Sequence, residues 1–252
     1  ATVFLVAVAG ILINDTLIGL ALCIGFLLII FLTALTLLLL LKMGMSDEKA
    51  FGIFMVALLI HVFSALLLYY MIYHTSLRPL GGGADFDLYQ NNAIEIAHRL
   101  ARGDFSLKGM FTEHYFAVII GVIYLVTLPH IIIGQLFTAW LAAISVLLVY
   151  FLVLQIGGTK KWAFFIGLMT AIYPSYLFFG SVLLKDIIEV PLILAGALLS
   201  IQIFKNFSAL KFLAFFWVVS GVIHFRFYIG FALLFSFIIS WFLVSNLKMG
   251  DR

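Results

Sequence analysis

Four short stretches of this chain bring together residue types that carry chemistry. The first is Gly81-Gly82-Gly83-Ala84-Asp85-Phe86-Asp87-Leu88-Tyr89. Its glycines permit tight turns and close approach of a ligand to the backbone, and two carboxylates follow at once. A carboxylate within reach of a hydroxyl or amine can take its proton. Asp87 also has a structural reading, as the N-cap of a helix over 88–102 with Gln90 completing a capping box. Asp85 lacks such a role, which makes it the better candidate for a general base or a metal ligand. The second stretch, Glu113-His114, pairs an acid with an imidazole. That pair suits a divalent metal or an acceptor, and its plain reading is an interfacial boundary.

The third stretch is Lys185-Asp186 with Glu189, set in apolar sequence. Charges at membrane depth are costly and tend to face protein or a water-filled cavity. Lys185 and Glu189 stand at i, i+4 and Asp186 and Glu189 at i, i+3, so an internal ion pair is the plain reading. The functional reading makes Lys185 a phosphate contact. The fourth is His224-Phe225-Arg226. An arginine matches phosphate oxygens bidentately, which favours an anionic lipid head group as its partner; snorkelling to an interface is the alternative. His61 and His130 stand alone among apolar residues and read as packed or interfacial histidines.

The elements that must position these groups are apolar. Of 252 residues 65% are hydrophobic and 10% charged, whereas a soluble domain carries about 25% charged residues. The reading is an all-α, polytopic membrane protein. At roughly 20 residues per span, the chain has room for about eight crossings and one polar loop. That loop, 75–114, holds five of the eleven acidic residues and four of the fourteen basic ones. Cys23 lies alone in an apolar run, so a disulfide framework is excluded and packing is its role. The basic residues sit at segment ends, with no patch suited to nucleic acid.

Along the chain, the run from Val3 to Ile13 is too short for a full span and is interrupted by Asn14-Asp15. No basic stretch precedes it to make it a signal peptide. Apolar segments follow at 16–41 and about 51–73. In the polar loop Tyr89, Ala93, Ile96, Ala97 and Leu100 recur at helical spacing, which predicts an amphipathic helix at the membrane surface stopped by Gly103. Later segments fall at 162–179, 187–204, 208–223 and 227–246. Lys/Arg excess marks the cytoplasmic side, and Lys42/Lys49, Lys160/Lys161, Lys205/Lys211 and Lys248/Arg252 all lie at short segment ends. Placing these inside and 75–114 outside requires an odd number of crossings between 115 and 155. As a helix 115–128 is only about 21 Å long, short of a core of roughly 30 Å. We read it as a partial or interfacial helix and 131–155 as the span, with two full crossings as the alternative. Asp85, Asp87, Glu113, His114, Lys185, Asp186, Glu189, His224 and Arg226 then meet at one outer face. The organisation is a single transmembrane domain over 1–252: N-terminal spans at 1–74, an outer catalytic loop at 75–114, and the remaining spans at 115–252. There is no internal repeat.

Four motifs in this order carry a resemblance: Gly83-Ala84-Asp85-Phe86-Asp87-Leu88-Tyr89 leading into a surface helix, Tyr173-Pro174-Ser175-Tyr176, Ser181 to Glu189 (SVLLKDIIE), and Gly221-Val222-Ile223-His224-Phe225-Arg226. Over roughly 51–246 the chain resembles the GT-C class of integral-membrane glycosyltransferases, the group of protein O-mannosyltransferase-like and aminoarabinose-transferase-like enzymes. The resemblance implies a GT-C-like helix bundle with an amphipathic juxtamembrane helix in a large outer loop. It also implies inverting transfer of a sugar from a polyprenyl-phosphate-linked donor to a glycan, lipid or protein acceptor outside the plasma membrane. In that class an acid in the first outer loop serves as catalytic base or orients the acceptor; its place falls on Asp85, with Asp87 second. Tyr89, Glu113, His114, Lys185, Asp186, Glu189, His224 and Arg226 are the substrate-binding candidates. Lys185-Asp186 stands where the class often has Arg-Glu, and Phe227 where Pro commonly follows the arginine. Arg226 and Lys185 would offset charge developing on the phosphate. A divalent cation held by Asp85, Glu113 and His114 is a second candidate for that task, and the residues leave both open. Two other classes compete: a noncatalytic lipid-binding membrane subunit, and a lipid or solute transporter whose intramembrane charges line a pathway.

Overall fold

The computed structural model describes residues 16–42, 44, 47–71, 84–105 and 115–250. Ten helices and no strand occur among them: α1 (Thr16–Lys42), α2 (Glu48–Tyr69), α3 (Ala84–Ala101), α4 (Tyr115–Val126), α5 (Ile131–Gln155), α6 (Lys160–Ile172), α7 (Pro174–Phe179), α8 (Asp186–Lys205), α9 (Ala209–Phe225) and α10 (Phe227–Gly250). Glu113 and His114 lie outside the described residues, as do Arg252 and the run 1–15.

α5 is the axis. In its most apolar stretch 72% of residues are buried, against 22% for α1, and α1, α2, α6 and α8 all pack on it. Small residues on α5 and its neighbours set the spacing. A methyl group on Gly25 would stand 2.5 Å from Leu136, and one on Gly167 3.0 Å from Ile53. Four helices, α1, α2, α5 and α8, are long and apolar enough to cross a membrane. Their outward faces and those of α9 and α10 stay apolar: Leu27, Phe31, Leu38, Trp217, Phe231, Phe235 and Phe242 are all exposed. Water-soluble proteins rarely expose contiguous apolar patches above roughly a few hundred Å².

Side-chain contacts fix the direction of each helix. Tyr150 near the end of α5 donates to Asp47 at the start of α2, and Lys160 at the start of α6 pairs with Asp47 at 3.2 Å. Lys205 at the end of α8 donates to Gln155 Oε1 at 3.1 Å. At the other end of α5, His130 caps the helix by accepting from Ile132 N and lies beside Tyr69 at the end of α2. One end of the bundle therefore gathers Lys42, Lys49, Lys160, Lys161, Lys205 and Lys211; we call it the lysine end. The sequence grouping of these lysines agrees with this arrangement.

The stretch 115–155 contains one long helix. α4 has 12 residues, about 18 Å at 1.5 Å per residue, and packs chiefly on α3. Thr127 to His130 separate it from α5, so α4 ends at the same end of the bundle where α5 begins. The run 160–185 crosses the bundle in pieces. Tyr173 adopts an extended ψ of 122° ahead of Pro174, as expected for a residue before proline. Beyond α7, Gly180 lies against His61 and Ala142, and Leu183 reaches Gly134 near the start of α5.

α3 buries the stripe expected from its spacing: Tyr89, Ala93, Ile96 and Ala97 are buried. Gly103 ends it with φ of 77°. Its N–H bonds to Leu100 O and that of Asp104 to Arg99 O, the Schellman arrangement that left-handed glycine permits. The helix starts at Ala84, not after Asp87, so Asp85 and Asp87 occupy its first turn. Both acids there complement the positive end of the helix dipole.

Candidate functional site

Opposite the lysine end, three separated regions meet around one arginine. α9 and α10 form a tight corner at Arg226, whose backbone is extended (φ −146°) and whose N–H bonds to Val222 O. Gly230 makes the corner possible: a Cβ there would stand 2.4 Å from Ile223 Cγ1 and 2.7 Å from Ile223 N. The guanidinium points back to α8. Its Nη2 donates to Asp186 and its Nε forms an ion pair with Glu189 Oε2 at 3.2 Å, with Tyr228 beside it.

The favoured sequence reading of Arg226, as a receptor for an anionic head group, therefore meets two carboxylates already in place. The ion-pair reading of 185–189 holds in kind but with a different cation. Glu189 is 3% exposed, and a carboxylate so buried needs a rigid, directed donor. The planar guanidinium faces both acids at once with N–H groups in fixed directions, whereas an ammonium is a compact, rotatable point charge. Lys185 is half-buried and has no ion pair among the described residues.

α3 delivers the remaining groups. Tyr89 is 4% exposed and stands edge-on to Phe116 of α4, with ring centroids 5.4 Å apart. Burial, and after it the charges of Asp85, Asp186 and Glu189, push its phenol up to about 12, with Arg226 opposing. Tyr89 is thus a protonated donor at neutral pH. Asp85 is exposed one turn before Tyr89, and Asp87 is half-buried. Gln90 accepts from Tyr124 of α4, which locks α3 in rotation. His224 is exposed; its Nδ1 lies 2.7 Å from Ser220 O and its ring stands edge-on to Tyr115 at 5.4 Å.

The structure thus brings together Asp85, Tyr89, Asp186, Glu189 and Arg226 and leaves Lys185 at the same helix start. His224 contacts α4 instead. Among the described residues no group of three His, Cys, Asp or Glu is placed to hold a metal ion, and Glu113 and His114 lie outside them. The formal balance of Asp85, Asp186 and Glu189 against Lys185 and Arg226 is one negative charge. Such a set can bind a group rich in hydrogen-bond donors, can take a proton at Asp85, and has one unpaired cation for a phosphate.

No family model, curated protein or solved structure matches the chain.

Sequence reasoning missed two features. Tyr124, buried in α4, fixes α3 through Gln90; a lone tyrosine in an apolar run carries no signal of a partner 34 residues earlier. Asp47 joins α2, α5 and α6, although its position before an apolar run at Glu48 is recognisable as a helix cap.

Proposed function

We propose that the chain is a multi-pass membrane glycosyltransferase that moves a sugar from a polyprenyl-phosphate-linked donor to an acceptor at the outer face of the plasma membrane. The observation that carries this reading is the meeting of Asp85, Tyr89, Asp186, Glu189 and Arg226 at one end of an apolar helix bundle. It is supported by the opposite placement of the lysines, since basic residues favour the cytoplasmic side. The polyprenyl chain has an apolar belt to lie against, and its phosphate meets Lys185 at the start of α8.

In the reaction, an acceptor oxygen forms a bond to the anomeric carbon on the face away from the phosphate. The bond from that carbon to the phosphate oxygen breaks, and polyprenyl phosphate leaves with the electron pair. Asp85 takes the acceptor proton, and the anomeric centre inverts. Lys185 offsets charge on the departing phosphate. Arg226, held by two carboxylates, fixes the geometry of α8 against the α9–α10 corner.

The test is transfer of labelled sugar from a panel of polyprenyl-phosphate sugars by protein in nanodiscs. Asp85→Asn is expected to lower turnover at least about 100-fold, the usual scale for a positioned base, with an unchanged melting profile. Wild-type turnover in the folded variant removes Asp85 from the mechanism.

One observation favours a second reading. Arg226 is satisfied by Asp186 and Glu189 without any ligand, as a structural cluster in a noncatalytic lipid-binding subunit would be. Binding of polyprenyl phosphate without turnover of any donor in the same panel would support that reading.

A further inference from the structure

Within the cluster, one polar atom is left unserved. Glu189 Oε2 forms an ion pair with Arg226 Nε at 3.2 Å, whereas Glu189 Oε1 is buried with no hydrogen-bond partner among the described residues. Buried polar atoms are nearly always paired, and a carboxylate oxygen in particular loses its hydration when buried. Neighbouring cations do not fill the position: Arg226 is directed to Oε2 and to Asp186, and Lys185 makes no ion pair among the described residues. With one net negative charge around it, the vacant oxygen suits a group that brings a proton, not a further anion.

We propose that Glu189 Oε1 is the seat of a hydrogen-bond donor on the ligand, a hydroxyl or ammonium group of the sugar carried by the lipid-linked donor. This rests on the glycosyltransferase reading and adds the orientation of the donor to it. Lys185 and Glu189 stand one helical turn apart, a separation of about 5–6 Å between their Cβ atoms. Phosphate at Lys185 and sugar at Glu189 are then read by neighbouring positions of one helix, while Arg226 engages Oε2 and leaves Oε1 without a partner.

Glu189→Gln tests this with a built-in sign. Arg226 Nε requires an acceptor, so the amide oxygen takes the place of Oε2 and the amide nitrogen takes that of Oε1. A donor then faces the ligand where an acceptor stood. The experiment measures binding of polyprenyl phosphate, its hexose conjugate and its amino-hexose conjugate to wild type and Glu189→Gln in nanodiscs. In wild type the sugar conjugates are expected to bind about tenfold tighter than the bare lipid, the scale of one hydrogen bond to a charged acceptor. In Glu189→Gln that margin is expected to vanish while the bare lipid still binds. A margin confined to the amino-hexose assigns the seat to an ammonium; equal margins assign it to a hydroxyl.

A margin that survives in Glu189→Gln, or that wild type never shows, overturns the assignment and leaves the glycosyltransferase reading standing. Loss of bare-lipid binding together with the conjugates gives Glu189 a structural role and also overturns it. Failure of wild type to bind any of the three lipids overturns the glycosyltransferase reading, and the Glu189 assignment falls with it.

Discussion

Asp47 receives three partners from three helices. Its carboxylate accepts from Tyr150 at 2.6 Å, pairs with Lys160 at 3.2 Å and accepts from Lys49 N at 3.4 Å. The Tyr150 hydrogen bond, with Lys160 and Lys49 assisting against partial burial, holds its carboxyl below the usual aspartate range. The folded-state value is depressed, so the stabilisation is present above the unfolded value of about 3.9 and is lost as pH falls through the lower folded value. Asp47→Ala is expected to cost about 1–3 kcal/mol, a half-exposed cap plus a charge-assisted hydrogen bond. Thermal unfolding in detergent from pH 7 downward checks both parts: wild type loses stability in acid, and the gap to the variant closes there. Unchanged melting in Asp47→Ala at neutral pH would show that the three contacts contribute nothing. In the sequence Asp47 is recognisable at most as a helix cap, because Tyr150 stands 103 residues away. Arg226 was hidden by the same limit. Local spacing offered Lys185 to Glu189, and the true cation came from 40 residues beyond Asp186.

At the scale of elements, the position of α3 decides whether a site exists, since it carries Asp85 and Tyr89. Its hold on α4 is a close contact at Gly121. A Cβ there would stand 2.7 Å from Ile96 Cγ2, 2.8 Å from Ile96 Cβ and 3.1 Å from Ala93 O. Neither the β-branched carbon nor the carbonyl can swing aside, so Gly121→Ala must part the two helices. Overpacking of this kind costs about 1–3 kcal/mol. The expected outcome is faster hydrogen exchange across 84–101 with little change in α5, α2 or α8, and loss of sugar transfer in the nanodisc assay. Unaltered exchange in α3 would mean that α4 does not hold it. The amphipathic stripe of α3 and the short segment 115–128 ahead of α5 were both legible, because a period of 3.6 and a segment length leave marks in sequence. The start of α3 was not. Asp85 and Asp87 suit a cap and a first turn equally well, and only the backbone distinguishes them. The segment 162–179 read as one continuous piece, whereas Tyr173-Pro174 divides it into α6 and α7. A proline in an apolar run fits a kinked helix and a broken one alike.

At the scale of the molecule, the lysine end and the site end follow from one pattern, an alternation of helix directions along the chain. That alternation was legible because charges at segment ends follow a transmembrane bias, and because 115–128 is short for a full span. The packing order of the helices around α5 was not, since apolar side chains of similar size do not name their neighbours. If the chain sits in a plasma membrane as proposed, the two ends differ in accessibility. Cys23 is the only cysteine, so Cys23→Ser gives a background for single reporters. Phe105, 78% exposed just past α3, and Phe207, 58% exposed between α8 and α9, mark the two ends. Phe105→Cys is expected to react with a membrane-impermeant maleimide on intact cells, and Phe207→Cys only after permeabilisation. The reversed pattern would put Asp85 and Arg226 on the cytoplasmic side and remove the outward-facing reaction. Labelling of both reporters on intact cells would mean an even number of crossings between Phe105 and Phe207, as two full crossings within 115–155 would give.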